Sequence, residues 1–160
     1  MTIMQNKISI PDLPLKGGCQ CGAVRYVLTN KPIVFYICHC TRCQKQSSSA
    51  FGESFRVYAA DLEVAGEMKT LQRTAPSGFT FSCDFCPNCG SRLFHQREEN
   101  EAVVNIKAGS LDDTSWLKPA GHIWTSSKQA WVIIPDDALV YEQQPDNYDE
   151  LVKRWAEIVE

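Results

Sequence analysis

Eight cysteines are the residues of this sequence most able to do chemistry, and they occur in three groups. The groups are Cys19 with Cys21, Cys38 with Cys40 and Cys43, and Cys83 with Cys86 and Cys89. Cysteines one or two residues apart are typical ligands of Zn²⁺. Because no secretory signal is visible at the N-terminus, we expect a reducing cytoplasm, where such cysteines bind metal rather than form disulfides. A disulfide framework is therefore the least favoured alternative.

The segment Cys86-Pro-Asn-Cys89-Gly90 is typical of half a tetrahedral zinc site, with the glycine allowing a tight turn. Cys19 and Cys21 can supply the other half, because residues i and i+2 of an extended segment share a face. These four thiolates would leave the ion no open position, so we assign the site a structural role. It would join distant parts of the chain and contribute directly to folding.

Cys38, Cys40 and Cys43 then form a compact second set. Three sulfurs on one Zn²⁺ leave a fourth position for water or a substrate, which distinguishes catalytic zinc from structural zinc. Spacing alone leaves alternatives for Cys83. It can complete a second closed four-cysteine site, or it can be a buried free thiol.

The elements that must position these cysteines are short runs of β-branched and aromatic residues, separated by Gly, Pro, Asn and Asp. The sequence predicts strands over 23–28, 33–37, 51–58, 62–64, 68–71, 79–83, 91–96, 102–108, 131–134 and 138–141. We therefore expect a mainly β (all-β) domain over 16–142, preceded by an N-terminal arm over 1–15. A C-terminal helix is expected within 143–160, capped by Asp146 or Asn147, with Leu151, Trp155 and Ile158 on the face that packs on the domain.

Length and charge restrict the class of protein. The 160 residues, 44% of them hydrophobic, suit one ordinary globular domain. A formal net charge of −3 with scattered basic residues argues against nucleic acid and anionic membranes as partners. The apolar stretches are too short to cross a bilayer, and the oligomeric state cannot be read from the sequence.

Five segments together resemble the glutathione-dependent formaldehyde-activating enzymes, a family that includes centromere protein V. The resemblance covers about residues 17–135, with the segments in family order. They are Gly18-Cys-Gln-Cys-Gly22-Ala-Val24, Cys38-His-Cys-Thr-Arg-Cys43, Phe85-Cys-Pro-Asn-Cys-Gly90, Gly109-Ser-Leu-Asp-Asp113, and His122-Ile-Trp124 with Trp131 following.

The resemblance implies a β-tent fold of short antiparallel sheets with two zinc ions per chain. It implies that Cys19, Cys21, Cys86 and Cys89 hold the structural ion, that Cys38, Cys40 and Cys43 hold the catalytic ion, and that Cys83 is not a ligand. The activity it implies is that of a carbon–sulfur lyase, which adds glutathione to formaldehyde to give S-hydroxymethylglutathione. The partners would be a small thiol and an aldehyde. The alternative is a zinc-stabilised binding module without catalysis, as centromere protein V suggests.

Two positions depart from the family pattern, since Gln44 stands where Arg is common and Ser48 where Gly is common. The absence of a cation at position 44 affects how an anionic thiol such as glutathione is recognised, and does not affect the zinc ligands.

The sequence also gives predictions for residues outside the cysteine groups. His39 should point away from the metal, and His122 is either a proton carrier or a packing residue. The remaining expectations are turn capping by Asp112 and Asp113, core packing by Trp116, Trp124 and Trp131, and solvent exposure of Arg92 and His95.

Overall fold

The computed structural model describes residues 7–75 and 77–160, which form eleven strands and two α-helices. The first six residues of the predicted arm lie outside this range. The helices are α1 (Thr41–Ser47) and α2 (Asp149–Ile158). The strands are β1 (Leu15–Gly18), β2 (Arg25–Leu28), β3 (Val34–Cys38), β4 (Gly52–Tyr58), β5 (Leu62–Ala65), β6 (Lys69–Thr74), β7 (Thr80–Phe85), β8 (Arg92–Arg97), β9 (Val103–Lys107), β10 (Gly121–Ile123) and β11 (Leu139–Val140).

Two sheets contain all of these strands. The smaller has the order β1-β2-β5, and the larger has the order β11-β10-β3-β4-β9-β8-β7-β6. Pairing is antiparallel except at β10, which runs parallel to both β3 and β11. The predicted mainly β class with a C-terminal helix is therefore confirmed. The parallel pairing of β10 with its two neighbours was not predicted from the sequence.

Helix α2 packs on strand β3 of the larger sheet. Its predicted apolar face is confirmed, because Leu151, Trp155 and Ile158 are its buried residues. The Trp155 ring packs against Phe35 of β3, with 6.3 Å between ring centroids. Strand β3 is buried along its whole length, as expected for a strand covered on both faces. No α-helix of the described chain is both long enough and apolar enough to cross a membrane.

The strand prediction over 131–134 was wrong. Residues 131–134 are apolar but irregular, because Val132 N–H donates to Gln129 O at 3.1 Å in a turn that takes them out of the sheet. Trp131, expected in the core, is consequently 70% exposed. The predicted strands over 62–64 and 68–71 are present as β5 and β6 on either side of Gly66, and they belong to different sheets. Gly66 is the residue at which the chain leaves the smaller sheet.

Gly66→Ala should lower the free energy of unfolding by about 3 kcal/mol, as measured by urea denaturation of the metal-loaded protein. Gly66 has φ +107°, and an added Cβ would lie 2.2 Å from the Ala23 carbonyl oxygen. Gly78→Ala is the matched control, because Gly78 has φ +87° but nothing within 4 Å of its added Cβ. We expect it to lose only about 1 kcal/mol. Equal losses would show that the clash with Ala23 has no effect.

Candidate metal centres

The loop after β1 and the turn after β7 bring four cysteines together. The ligand atoms of this four-cysteine cluster all lie within 4.8 Å of one another. Its members are Cys19, Cys21, Cys86 and Cys89. The turn has the predicted geometry, since Gly90 adopts φ +78° and its N–H donates to Cys86 O at 2.8 Å. The cluster links the edge of the smaller sheet to the larger sheet.

Hydrogen-bond donors surround these sulfurs, as they do around thiolates that bind metals. Val24 N–H donates to Cys19 Sγ at 3.2 Å, and this bond is the main cause that lowers the pKa of Cys19. The Asn88 amide donates to Cys21 Sγ at 3.2 Å. Ser91 Oγ lies 3.2 Å from Cys89 Sγ and lowers the pKa of Cys89 to about 5. Such donors favour the charged thiolate.

The end of β3 and the start of α1 form the three-cysteine cluster, Cys38, Cys40 and Cys43. Its ligand atoms also lie within 4.8 Å of one another. Cys40 is the N-cap of α1, and its Sγ accepts a hydrogen bond from Cys43 N–H at 3.3 Å. Hydrogen bonds from Cys38 and Cys43 lower the pKa of Cys40 to about 2, and the same contacts raise the pKa of Cys38. Among the described residues, no fourth His, Cys, Asp or Glu joins this cluster.

Cys83 belongs to neither cluster. It lies in β7, paired with Leu71 on one side and His95 on the other, and is 1% exposed. All eight cysteines are free. The alternatives of a second four-cysteine site and of a disulfide framework are therefore wrong for this structure. Both clusters offer sulfur alone, and both can hold a metal ion.

Two buried histidines support the segment that carries the three-cysteine cluster. His39 is fully buried, and its Nε2 lies 2.8 Å from His122 Nδ1. The parallel pairing of β10 with β3 brings them together, because it places His122 opposite Ile37. Burial lowers the pKa of His39 and lowers that of His122 to about 4, so both imidazoles are neutral at pH 7. His122 is thus a hydrogen-bonded packing residue.

Gln44, which replaces the common arginine, has a fully occupied side-chain amide. Its Nε2 donates to His39 O at 2.8 Å and to Ser127 O at 2.9 Å. Its Oε1 accepts from Gln129 Nε2 at 3.2 Å. Gln44 therefore connects α1 to the loop after β10 through hydrogen bonds.

The other polar expectations have mixed outcomes. Asp113 caps a turn as predicted, accepting from Ser115 N–H at 3.0 Å. Asp112 instead pairs with Arg25, whose Nη1 lies 2.9 Å from its Oδ1.

The prediction that His95 faces solvent is wrong. Strand β8 lies inside the sheet between β7 and β9, and the Phe81 ring packs against His95 with 6.0 Å between ring centroids. Trp116 and Trp124 pack against the core as expected.

An open cavity of about 870 Å³ lies between the two clusters. Cys43 of the three-cysteine cluster lines it, as do Cys19 and Cys89 of the four-cysteine cluster. Its charged lining includes Glu53 and Lys107, and burial raises the pKa of Glu53. Neither residue was predicted, because each occupies an ordinary polar position in a strand. Only the folded chain identifies them, because the start of β4 and the end of β9 line the same cavity as Cys43.

Comparison with known proteins gives one family and two individual relatives. The sequence profile of the glutathione-dependent formaldehyde-activating enzymes matches residues 14–127. A Sordaria macrospora protein, provisionally named a glutathione-dependent formaldehyde-activating enzyme, is 29% identical over 113 residues, which are 61% of this chain and 44% of that protein. The chain thus spans less than half of this relative. A crystal structure of a Rhodobacter sphaeroides protein aligns with a TM-score of 0.49 and 24% identity, over 63% of this chain and 91% of that one.

Proposed function

The chain belongs to the family of glutathione-dependent formaldehyde-activating enzymes, and from that premise we propose that it is a zinc-dependent carbon–sulfur lyase. It adds glutathione or a related thiol to formaldehyde or another small aldehyde. The observation that carries the proposal is the three-cysteine cluster, which lacks a fourth ligand among the described residues and borders a cavity through Cys43. The reaction takes place in the cytoplasm, where thiols are kept reduced.

The two clusters have separate tasks in this proposal. The four-cysteine cluster is closed, so its zinc ion holds the loop after β1 against the turn after β7. The three-cysteine cluster is the reactive one, and its donor set of sulfur alone suits Zn²⁺. When bound there, Zn²⁺ supplies a Lewis acid for the aldehyde oxygen and lowers the pKa of a nearby thiol. These tasks belong to the β domain of residues 16–142, which the segment 143–160 covers.

The chain's own residues bind the reactants and move the proton. The cavity accepts the thiol next to Cys43 and holds it close to the aldehyde, which reduces the entropy lost in reaching the transition state. The thiol S–H bond breaks, the sulfur bonds to the carbonyl carbon, and the carbonyl oxygen takes up a proton. Glu53 lines the same cavity beside Gly52, whose added Cβ would lie 3.4 Å from Cys43 Sγ. Its carboxylate is the group we assign to receive the thiol proton and return it to the oxygen.

Magnetisation-exchange NMR on an equilibrium mixture of glutathione, formaldehyde and S-hydroxymethylglutathione tests this proposal. Thiols and aldehydes combine without help, so the comparison must be with the uncatalysed rate. We expect the exchange rate to rise in proportion to the concentration of zinc-loaded protein, and protein stripped by a chelator to have no effect. A rate equal to the blank, with two equivalents of zinc bound, would refute the enzymatic function.

A further inference from the structure

Lys107 is a partly buried cation whose ammonium has no ion-pair or hydrogen-bond partner in the described part of the chain. It is the last residue of β9 and lines the same cavity as Cys43. None of the ion pairs among the described residues includes it, and its ammonium makes no hydrogen bond within them. Burial lowers the pKa of Lys107, which agrees with an ammonium group that has lost part of its water shell. A desolvated charge is costly unless another group compensates for it.

Gln46 of α1 presents the complementary hydrogen-bonding groups. It lines the same cavity, and both its Oε1 and its Nε2 are buried without a partner among the described residues. Unpaired buried amides are uncommon, and each requires an explanation. Gln44, two residues earlier on the same helix, has both amide atoms occupied and takes no part in this lining. Gln46 is therefore the amide of α1 that is free to bind a ligand.

More basic than acidic side chains line the cavity. The basic ones are Lys107, Arg92 and Arg25, and the acidic ones are Glu53 and Asp112. One acid of the lining, Asp112, is already paired with Arg25, which leaves Glu53 as the main counter-charge beside Cys43. The excess of basic side chains in the lining thus favours an anion with oxygen acceptors.

We propose that Lys107 and the Gln46 amide bind a carboxylate of the thiol substrate, so that the protein selects thiols that carry a negative charge. This inference rests on the proposed function and makes Lys107 a residue that determines specificity. A cavity of about 870 Å³ suits a thiol the size of a tripeptide rather than one of two or three carbon atoms.

The test is calorimetric binding of S-methylglutathione, which keeps the carboxylates of glutathione but cannot react. Lys107→Gln should weaken this binding about 10- to 100-fold, the range for a lost hydrogen bond to a charged group. Lys107→Arg should restore most of it. The diethyl ester of S-methylglutathione should bind weakly to the unchanged protein, and Lys107→Gln should leave its affinity unchanged. Lys153→Gln, which removes the same charge from an exposed position on α2, is the matched control and should bind like the unchanged protein.

Zinc content and thermal melting establish that each variant is folded. Equal affinity of Lys107→Gln and the unchanged protein for S-methylglutathione would overturn the inference. Equal losses of affinity in Lys107→Gln for S-methylglutathione and for its diethyl ester would also overturn it. So would an unchanged protein that binds neither compound. The assay needs no turnover, so it separates the two claims. Charge-dependent binding without any rate acceleration would support the carboxylate site and refute the lyase, whereas acceleration without charge dependence would do the reverse.

Discussion

Cys40→Ser should abolish the protein's acceleration of S-hydroxymethylglutathione formation while leaving it folded with one zinc ion instead of two. Cys40 is both a member of the three-cysteine cluster and the N-cap of α1. Serine is a strongly preferred N-cap, so its hydroxyl can accept the Cys43 N–H in place of the sulfur. The substitution therefore removes a metal ligand without removing the cap. Native mass spectrometry, circular dichroism and the exchange rate together measure the outcome.

Cys83→Ala is the matched control for a lost thiol. Cys83 is buried but belongs to neither cluster, so this variant should keep both zinc ions and the full rate. We expect it to lose only about 1 kcal/mol of stability, the value for a small cavity. An unchanged rate in Cys40→Ser would remove the three-cysteine cluster from catalysis. Loss of both ions with unfolding would indicate a scaffold and favour the binding-module alternative.

Cys86→Ser should prevent cooperative folding altogether. Cys86 is fully buried in the core, and its Sγ lies 3.8 Å from Cys21 Sγ in the four-cysteine cluster. A structural zinc site contributes about 10 kcal/mol or more to folding, which is comparable with the whole stability of a typical domain. Serine is a poor zinc ligand, and here its hydroxyl would also be buried. We expect no cooperative thermal transition by circular dichroism and a near-random spectrum at 25 °C.

Stepwise chelation of the unchanged protein provides the comparison. The open three-cysteine cluster should release its ion first, with the fold retained and the rate lost. The closed four-cysteine cluster should release its ion later, together with unfolding. A Cys86→Ser protein that melts like the unchanged one would show that this cluster holds no structural ion. Simultaneous release of both ions would contradict the division of labour between the clusters.

The cysteine groups could be predicted because each rests on local geometry, whereas the exclusion of Cys83 followed only from the family resemblance. The pair Cys86 and Cys89 needs only a tight turn at Gly90, and Cys19 with Cys21 needs only an extended segment. The apolar face of α2 was equally local, with Leu151, Trp155 and Ile158 spaced for one side of a helix.

The features that escaped prediction depend on contacts between distant parts of the chain. Strand β10 has three residues, too few for a periodic pattern, and its parallel pairing with β3 depends on the whole fold. His95 appeared to face solvent because one strand gives no information about its two neighbours. Lys107 alternates with apolar residues like any lysine on the exposed face of a strand. Its proximity to Cys43 arises only when β9, β4 and α1 come together.

The cavity between the clusters makes ligand occupancy and metal retention interdependent. Its walls include Cys19 and Cys89 on one side and Cys43 on the other, so a molecule that fills it contacts both of the clusters that can hold a metal ion. By thermodynamic linkage, whatever binds only the assembled cavity also stabilises the assembled metal sites. A cell short of zinc and a cell depleted of the thiol would then weaken the same state of this protein, and abundant thiol would slow its loss of metal.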